Sequence, residues 1–183
     1  VVPNLRIVAK KHFDADFDTL RELLASPYHE YRLTALLALT YRYAKFKDLA
    51  SREACVNFYV SQVDAINNWD LVDLSCYKIL GHWLFDKDKQ LLYDWAKEDH
   101  LWKQRIAMIT CMHFVKQGEF KDALAIADLL QHHPHDLIHK AVGWILREIG
   151  KENEQLLVDY LTPRYKEMPR TMLRYAIERF EEG

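Results

Sequence analysis

Apolar residues recur along this chain at helical spacing almost everywhere. Phe17, Leu20, Leu23 and Leu24 fall on one face of a helix, as do Leu33, Leu36, Leu37 and Thr40. Leu74, Tyr77, Ile79 and Leu80 continue the pattern, followed by Ile106, Ile109 and Phe114. Leu124, Ala127 and Leu130 predict a further helix, and Leu156, Tyr160 and Leu161 another. No alternating run with turn dipeptides suggests a hairpin, so the pattern predicts roughly ten helices and no sheet. Breaks are short: Ser26-Pro27, Asp86 to Asp88, Gly118, His132-His133-Pro134, and the Pro163 to Pro169 connection. Asp136 is placed to cap the helix after the histidine-rich break.

The helical segments repeat. YRLTALLAL from Tyr31, WDLVDLSCYKIL from Trp69, WKQRIAMIT from Trp102, LIHKAVGWIL from Leu137 and PRTMLRYAI from Pro169 share one plan. Each has an exposed-looking start, a polar residue, then core residues. One position holds Thr34, Asp73, Arg105, Lys140 and Arg174 in turn, at intervals of 39, 32, 35 and 34 residues. That period fits helical-hairpin repeats of the HEAT or armadillo kind. The expected fold is therefore an all-α, HEAT-like helical-repeat solenoid, one domain over residues 1–183, whose second helices line a concave face. Equivalent positions on those helices would point at a common ligand. Arg147 lies seven residues after Lys140 and Arg170 four before Arg174, so both extend a cationic stripe that suits a polyanion. Solvated repeat faces with internal ion pairs would show the same charges.

Composition sharpens this picture only in part. With 183 residues, five Gly and five Pro, the chain has length for a sizeable core and few helix breakers. The formal net charge is -2, without the basic excess of many nucleic-acid binders. A local cationic face can coexist with that balance: residues 101–183 hold twelve acids and twelve bases, against nine and five in residues 51–100. Cys55, Cys76 and Cys111 are odd in number and far apart, which reads as buried thiols in a reducing cytoplasm. No apolar stretch approaches the ~20 residues of a membrane span. His135 and His139 have an i,i+4 spacing that chelates zinc in other proteins. No HExxH pattern or thiolate pair accompanies them, so His132, His133, His135 and His139 read as a polar inter-repeat loop.

Three stretches carry a resemblance: NNWDLVD at Asn67 to Asp73, LWKQR at Leu101 to Arg105, and KAVGWILREIGK at Lys140 to Lys151. With the opening PNLRIVAKK and the closing RTMLRYAIERF, they resemble the HEAT-like DNA glycosylases of the DNA alkylation repair family, in order and over nearly the whole chain. The resemblance implies a monofunctional enzyme of base-excision repair. It would hydrolyse the N-glycosidic bond of N3-alkyladenine and N7-alkylguanine in double-stranded DNA. It implies no cofactor, no metal and no membrane, and a monomer associated with the bacterial nucleoid is expected. Trp69, Asp73 and Arg105 would form the reaction centre. Trp144 would border the DNA cleft, with Lys140, Arg147, Arg170 and Arg174 on the backbone. Family members usually carry further N-terminal helices, and this chain starts about where those should end. The alternative reading is a non-catalytic HEAT-like scaffold that binds structured DNA or a protein.

The chemistry suits those residue types. Alkylation at N3 or N7 makes the purine a cation that departs as a neutral base. The enzyme must then stabilise positive charge developing on the sugar, which a fixed carboxylate does electrostatically. An aromatic face attracts a cationic base by ~0.5–2 kcal/mol. Trp69 and Asp73 are four residues apart, on one helical face. From the residues alone Asp70 and Asp73 are equal candidates; the resemblance selects Asp73. An arginine fork at position 105 could hold a phosphate or orient the acid.

Overall fold

The computed structural model describes residues 2–180, and every described segment of regular structure is helical. The first helices are α1 (Val2–Lys11), α2 (Phe17–Leu24), α3 (His29–Lys45) and α4 (Leu49–Ser61). A 3-10 turn at Val63–Ala65 leads into the short α5 (Trp69–Asp73), a π-helical segment at Tyr77–Gly81 and α6 (His82–Leu84). There follow α7 (Gln90–Lys97), α8 (Leu101–Lys116), α9 (Lys121–Leu130), α10 (Asp136–Glu152), α11 (Glu154–Leu161) and α12 (Arg170–Ala176). The chain divides into two compact units, Val1–Trp83 and Leu84–Gly183.

In the first unit α3 is the centre. Its residues Leu33 and Ala35 to Leu39 are almost wholly buried, and α1, α2, α4 and α5 all pack on it. Burying a side chain of Leu size contributes roughly 1.5–3 kcal/mol, so this row of leucines is the main local stabiliser. Asp16 caps α2 by accepting from the Thr19 amide, and Asp48 caps α4 by accepting from the Ser51 amide.

In the second unit the repeat is regular. Helix α8 packs on α7 and α9, α10 on α9 and α11, and α10 also packs on both α8 and α12. Tyrosine hydroxyls fasten the intervening helices: Tyr93 donates to Asp122 at 2.6 Å and Tyr160 to Asp128 at 2.8 Å. Asp122 and Asp128 both stand on α9, which is thereby tied to α7 and α11. Gly143 allows the close approach of α10 to α12, because a Cβ there would lie 2.5 Å from Tyr175 Cβ and 2.6 Å from the Met172 carbonyl oxygen.

Two expectations need correction. The segment from Trp69 to Leu80 is not one helix: α5 ends at Asp73, and residues 74–75 form a turn before the π segment. Helix α10 is capped by His135, whose Nδ1 accepts from the Leu137 amide at 3.1 Å, and not by Asp136. Asp136 is the first helical residue, where its charge suits the helix dipole, and it pairs with Lys140 at 2.8 Å. Gly118 does close α8, in the left-handed conformation at φ 80°. The three cysteines are buried thiols outside any disulfide, and no described helix is long and apolar enough to cross a membrane.

Candidate DNA-repair site

The repeat position identified in the sequence is real in the backbone. Asp73, Arg105, Lys140 and Arg174 are each the fifth residue of their helix, and Thr34 is the sixth of α3. What surrounds each one differs.

Helix α5 is only five residues long. Leu71 and Val72 are fully buried and hold one side of it in the core. Trp69 stands on the other side, 55% exposed, an unusual position for the largest side chain, and Asp73 is half-buried. Just past its end, the Ser75 hydroxyl donates to the Leu71 carbonyl at 2.5 Å, a local bond that competes with the backbone ladder. That hydroxyl also meets the hydroxyl of Tyr59, itself wholly buried, at 2.8 Å. Burial above all, then Cys76 and Asp73 nearby, push the Tyr59 phenol far above its usual range, against the opposing pull of the Ser75 bond. Tyr59 is therefore a neutral hydrogen-bonding post beneath the acid.

Helix α3 holds the same segment from its first turn. His29 Nε2 bonds Asp70 Oδ2 at 2.7 Å. Arg32 Nη2 donates to the Ala65 carbonyl at 3.2 Å and also to Asn67 Oδ1. Asp70 is thus engaged with His29, and its Oδ1 is buried without a hydrogen-bond partner. Asp70, one of the two acids that the residues alone left equivalent, is thus tethered to α3. Neither His29 nor Arg32 was singled out in the sequence. The only available signal was their i,i+3 spacing, which places them on one side of α3.

The remaining candidates lie in the second unit. Arg105 is 5% exposed, and its guanidinium donates to the Leu137 carbonyl in the first turn of α10. Lys140 carries the salt bridge to Asp136, which raises its pKa. Arg147 pairs with Glu178, and its Nε is buried without a hydrogen-bond partner. Arg170 and Arg174 are exposed on α12, with the Arg174 guanidinium 5.8 Å from the Tyr175 ring centroid. Arg147, Arg174, Tyr175 and Glu178 together line an open pocket of about 330 Å³. Trp144 is half-buried on α10. Beside it Glu148 is buried: burial pushes its carboxyl up, but bonds from Lys116 at 2.8 Å and Lys151 at 2.5 Å outweigh that and hold it below its usual value. Glu148 is a structural acid that the sequence did not distinguish.

The histidines are used locally. His133 Nε2 bonds Gln104 Oε1 at 2.9 Å, and His139 Nε2 meets the His133 carbonyl. Among the described residues no group of three His, Cys, Asp or Glu is arranged to hold a metal ion.

Comparison with known proteins gives these side chains a context. A search of curated proteins returns no match. Among solved structures, a chain titled "Predicted DNA alkylation repair enzyme from Enterococcus faecalis" superposes with a TM-score of 0.75 at 15% identity. The match covers 100% of this chain and 87% of that one, a likeness of fold. The family described as "DNA alkylation repair enzyme" matches residues 1–180. The chain belongs to the DNA alkylation repair enzyme family.

Proposed function

We propose that this protein is a monofunctional DNA glycosylase that hydrolyses the N-glycosidic bond of cationic alkylated purines, N3-alkyladenine and N7-alkylguanine, in duplex DNA. The observation that carries the reading is the pairing on α5 of an exposed Trp69 with Asp73, four residues on, in a chain of this family. Asp73 would stabilise positive charge developing at the sugar and position the attacking water. Trp69 would offer its face to the cationic base. The base then departs neutral, water supplies the new oxygen to the sugar, and an abasic site remains. Arg105 would contribute a fixed positive charge toward the DNA backbone or the acid. Lys140, Arg147, Arg170, Arg174 and Trp144 would engage the DNA. Residues and water suffice for this chemistry, so no cofactor or metal is invoked.

Release of free base from duplex DNA containing N7-methylguanine tests the reading. Asp73→Asn should lower the rate by about 100-fold or more, the scale of losing one preorganised electrostatic group. An unchanged rate in that variant would remove Asp73 from the mechanism. Salt-sensitive, lesion-independent DNA binding without base release would favour the non-catalytic scaffold.

A further inference from the structure

The segment that carries Trp69 and Asp73 is poorly defined by its own backbone. Between Val63 and Gly81 it passes through a 3-10 turn, a five-residue α-helix, a turn and a π segment. Helices this short are unstable unless tertiary contacts hold them. Irregular helical geometry of this type also recurs at functional sites. The contacts that compensate come from two directions. Ser75 and Tyr59 fix the end of α5 from below. His29 and Arg32 fix its start from the first turn of α3.

We infer that His29 and Arg32 are positioning residues for the reaction centre. They clamp Ala65, Asn67 and Asp70, and so set the position of α5 and with it the direction of Trp69 and Asp73. Three features argue for this. Arg32 Nη2 serves two acceptors on the strap preceding α5, so it fixes the strap and does not merely cover it. His29 bonds Oδ2 of a half-buried acid inside the helix itself, whose Oδ1 has no hydrogen-bond partner. Both side chains come from the helix with the most deeply buried row of this unit, a rigid base for a precise site. Neither touches the reacting atoms. Their effect is exerted through Asp70 and the strap.

The inference rests on Asp73 being the acid, and the test separates the two. Arg32→Ala, His29→Ala, and the milder Arg32→Lys and His29→Gln, which keep a donor, are compared with Asp73→Asn. Single-turnover release of N7-methylguanine, DNA affinity and amide hydrogen exchange are measured on each. The alanine variants should lose about 10- to 100-fold in rate, the effect of displacing a reacting group by about 1 Å. DNA affinity should stay within about twofold. Exchange in residues 67–76 should accelerate about tenfold or more while α8 and α10 are unchanged. The lysine and glutamine variants should recover much of the rate. A wild-type rate in the alanine variants beside an inactive Asp73→Asn overturns the clamp alone. So does unaltered exchange in residues 67–76, or acceleration spread equally over all helices. A wild-type rate in Asp73→Asn overturns the catalytic assignment instead.

Discussion

The helices of the two units that carry the repeat position of the sequence are built in opposite ways. In the second unit α8 and α10 run 16 and 17 residues without interruption, and their fifth residues are cations. In the first unit α5 stops after five residues, and its fifth residue is the acid Asp73. A long, regular helix is held by its own ladder and its buried face. The short one depends on individual side chains: Ser75, Tyr59, His29 and Arg32. A surface that follows a repetitive polyanion needs only even spacing. A group that must meet one atom of a substrate needs its direction fixed. Under the proposed function, the two constructions would suit those two tasks.

That contrast breaks first at Ser75. Ser75→Ala removes the hydroxyl at the end of α5 and leaves the Tyr59 hydroxyl buried without this partner. An unpaired buried group of this kind costs about 1–3 kcal/mol, so chemical denaturation should show a loss of about 2 kcal/mol. Base release should fall beyond what that loss alone explains. An equally stable variant with an unchanged rate would mean that the interruption of α5 has no functional weight.

Within the regular unit, the comparison sharpens along α10. At Gly143, an alanine gains up to about 1 kcal/mol of helix propensity. It must also displace the Met172 carbonyl and Tyr175 Cβ, and overpacking of this sort costs about 1–3 kcal/mol. The obstacle is largely backbone, so the clash wins, and Gly143→Ala should be destabilising by about 1–2 kcal/mol. At Gly150 the new Cβ would crowd Leu157 Cδ2, the end of a flexible side chain, at 2.5 Å, with Leu157 Cβ and Cγ in ordinary contact at 3.6 Å. There propensity should win, and Gly150→Ala should be neutral or stabilising. The two melting temperatures, read against the parent, decide the matter.

Much of this architecture was legible in the sequence because burial and periodicity are local. The α2, α3, α8, α9 and α11 stripes, and the repeat position itself, follow from apolar spacing. The break in α5 was not legible. Leu74, Tyr77 and Leu80 keep helical spacing across it, and the bonds that Ser75 makes there, to the Leu71 carbonyl and to the buried Tyr59 hydroxyl, are visible only in the structure. The cap of α10 was misassigned by one residue, because histidine rivals aspartate there only through a geometry unknown beforehand. The cationic stripe was visible as charge, but not the acids that answer it. Asp136 and Glu178 neutralise Lys140 and Arg147, while Arg170 and Arg174 stay exposed.

Glu148 gives a smaller and pH-dependent effect. Its pKa is held below the ordinary 4.5 by Lys116 and Lys151. A carboxyl depressed on folding contributes stability above its unfolded pKa and loses it as the pH falls through the folded value. Stability should therefore decline below about pH 4.5 more steeply in the parent than in Glu148→Gln. At pH 7 that variant should be less stable by about 1 kcal/mol. Parallel acid titrations of the two proteins would contradict this assignment.

The smallest effect concerns the exposed cations, and it bears most directly on how the units divide their labour. Arg170 and Arg174 make no contribution to the core, so their removal should leave the melting temperature unchanged. If they meet DNA phosphates, each neutralises one charge and releases its condensed counterion. The slope of log affinity against log salt should then fall by about 0.9 for Arg174→Ala and by about 1.8 for the double variant. Base release from saturated complexes should be unaffected, because neither group acts on the bond that breaks. Arg147, already paired with Glu178, should change the slope less than Arg174 does. Equal slopes for the parent and the double variant would take α12 out of the DNA interface. A loss of rate at saturation would show instead that α12 takes part in the chemistry and does not only hold the DNA backbone.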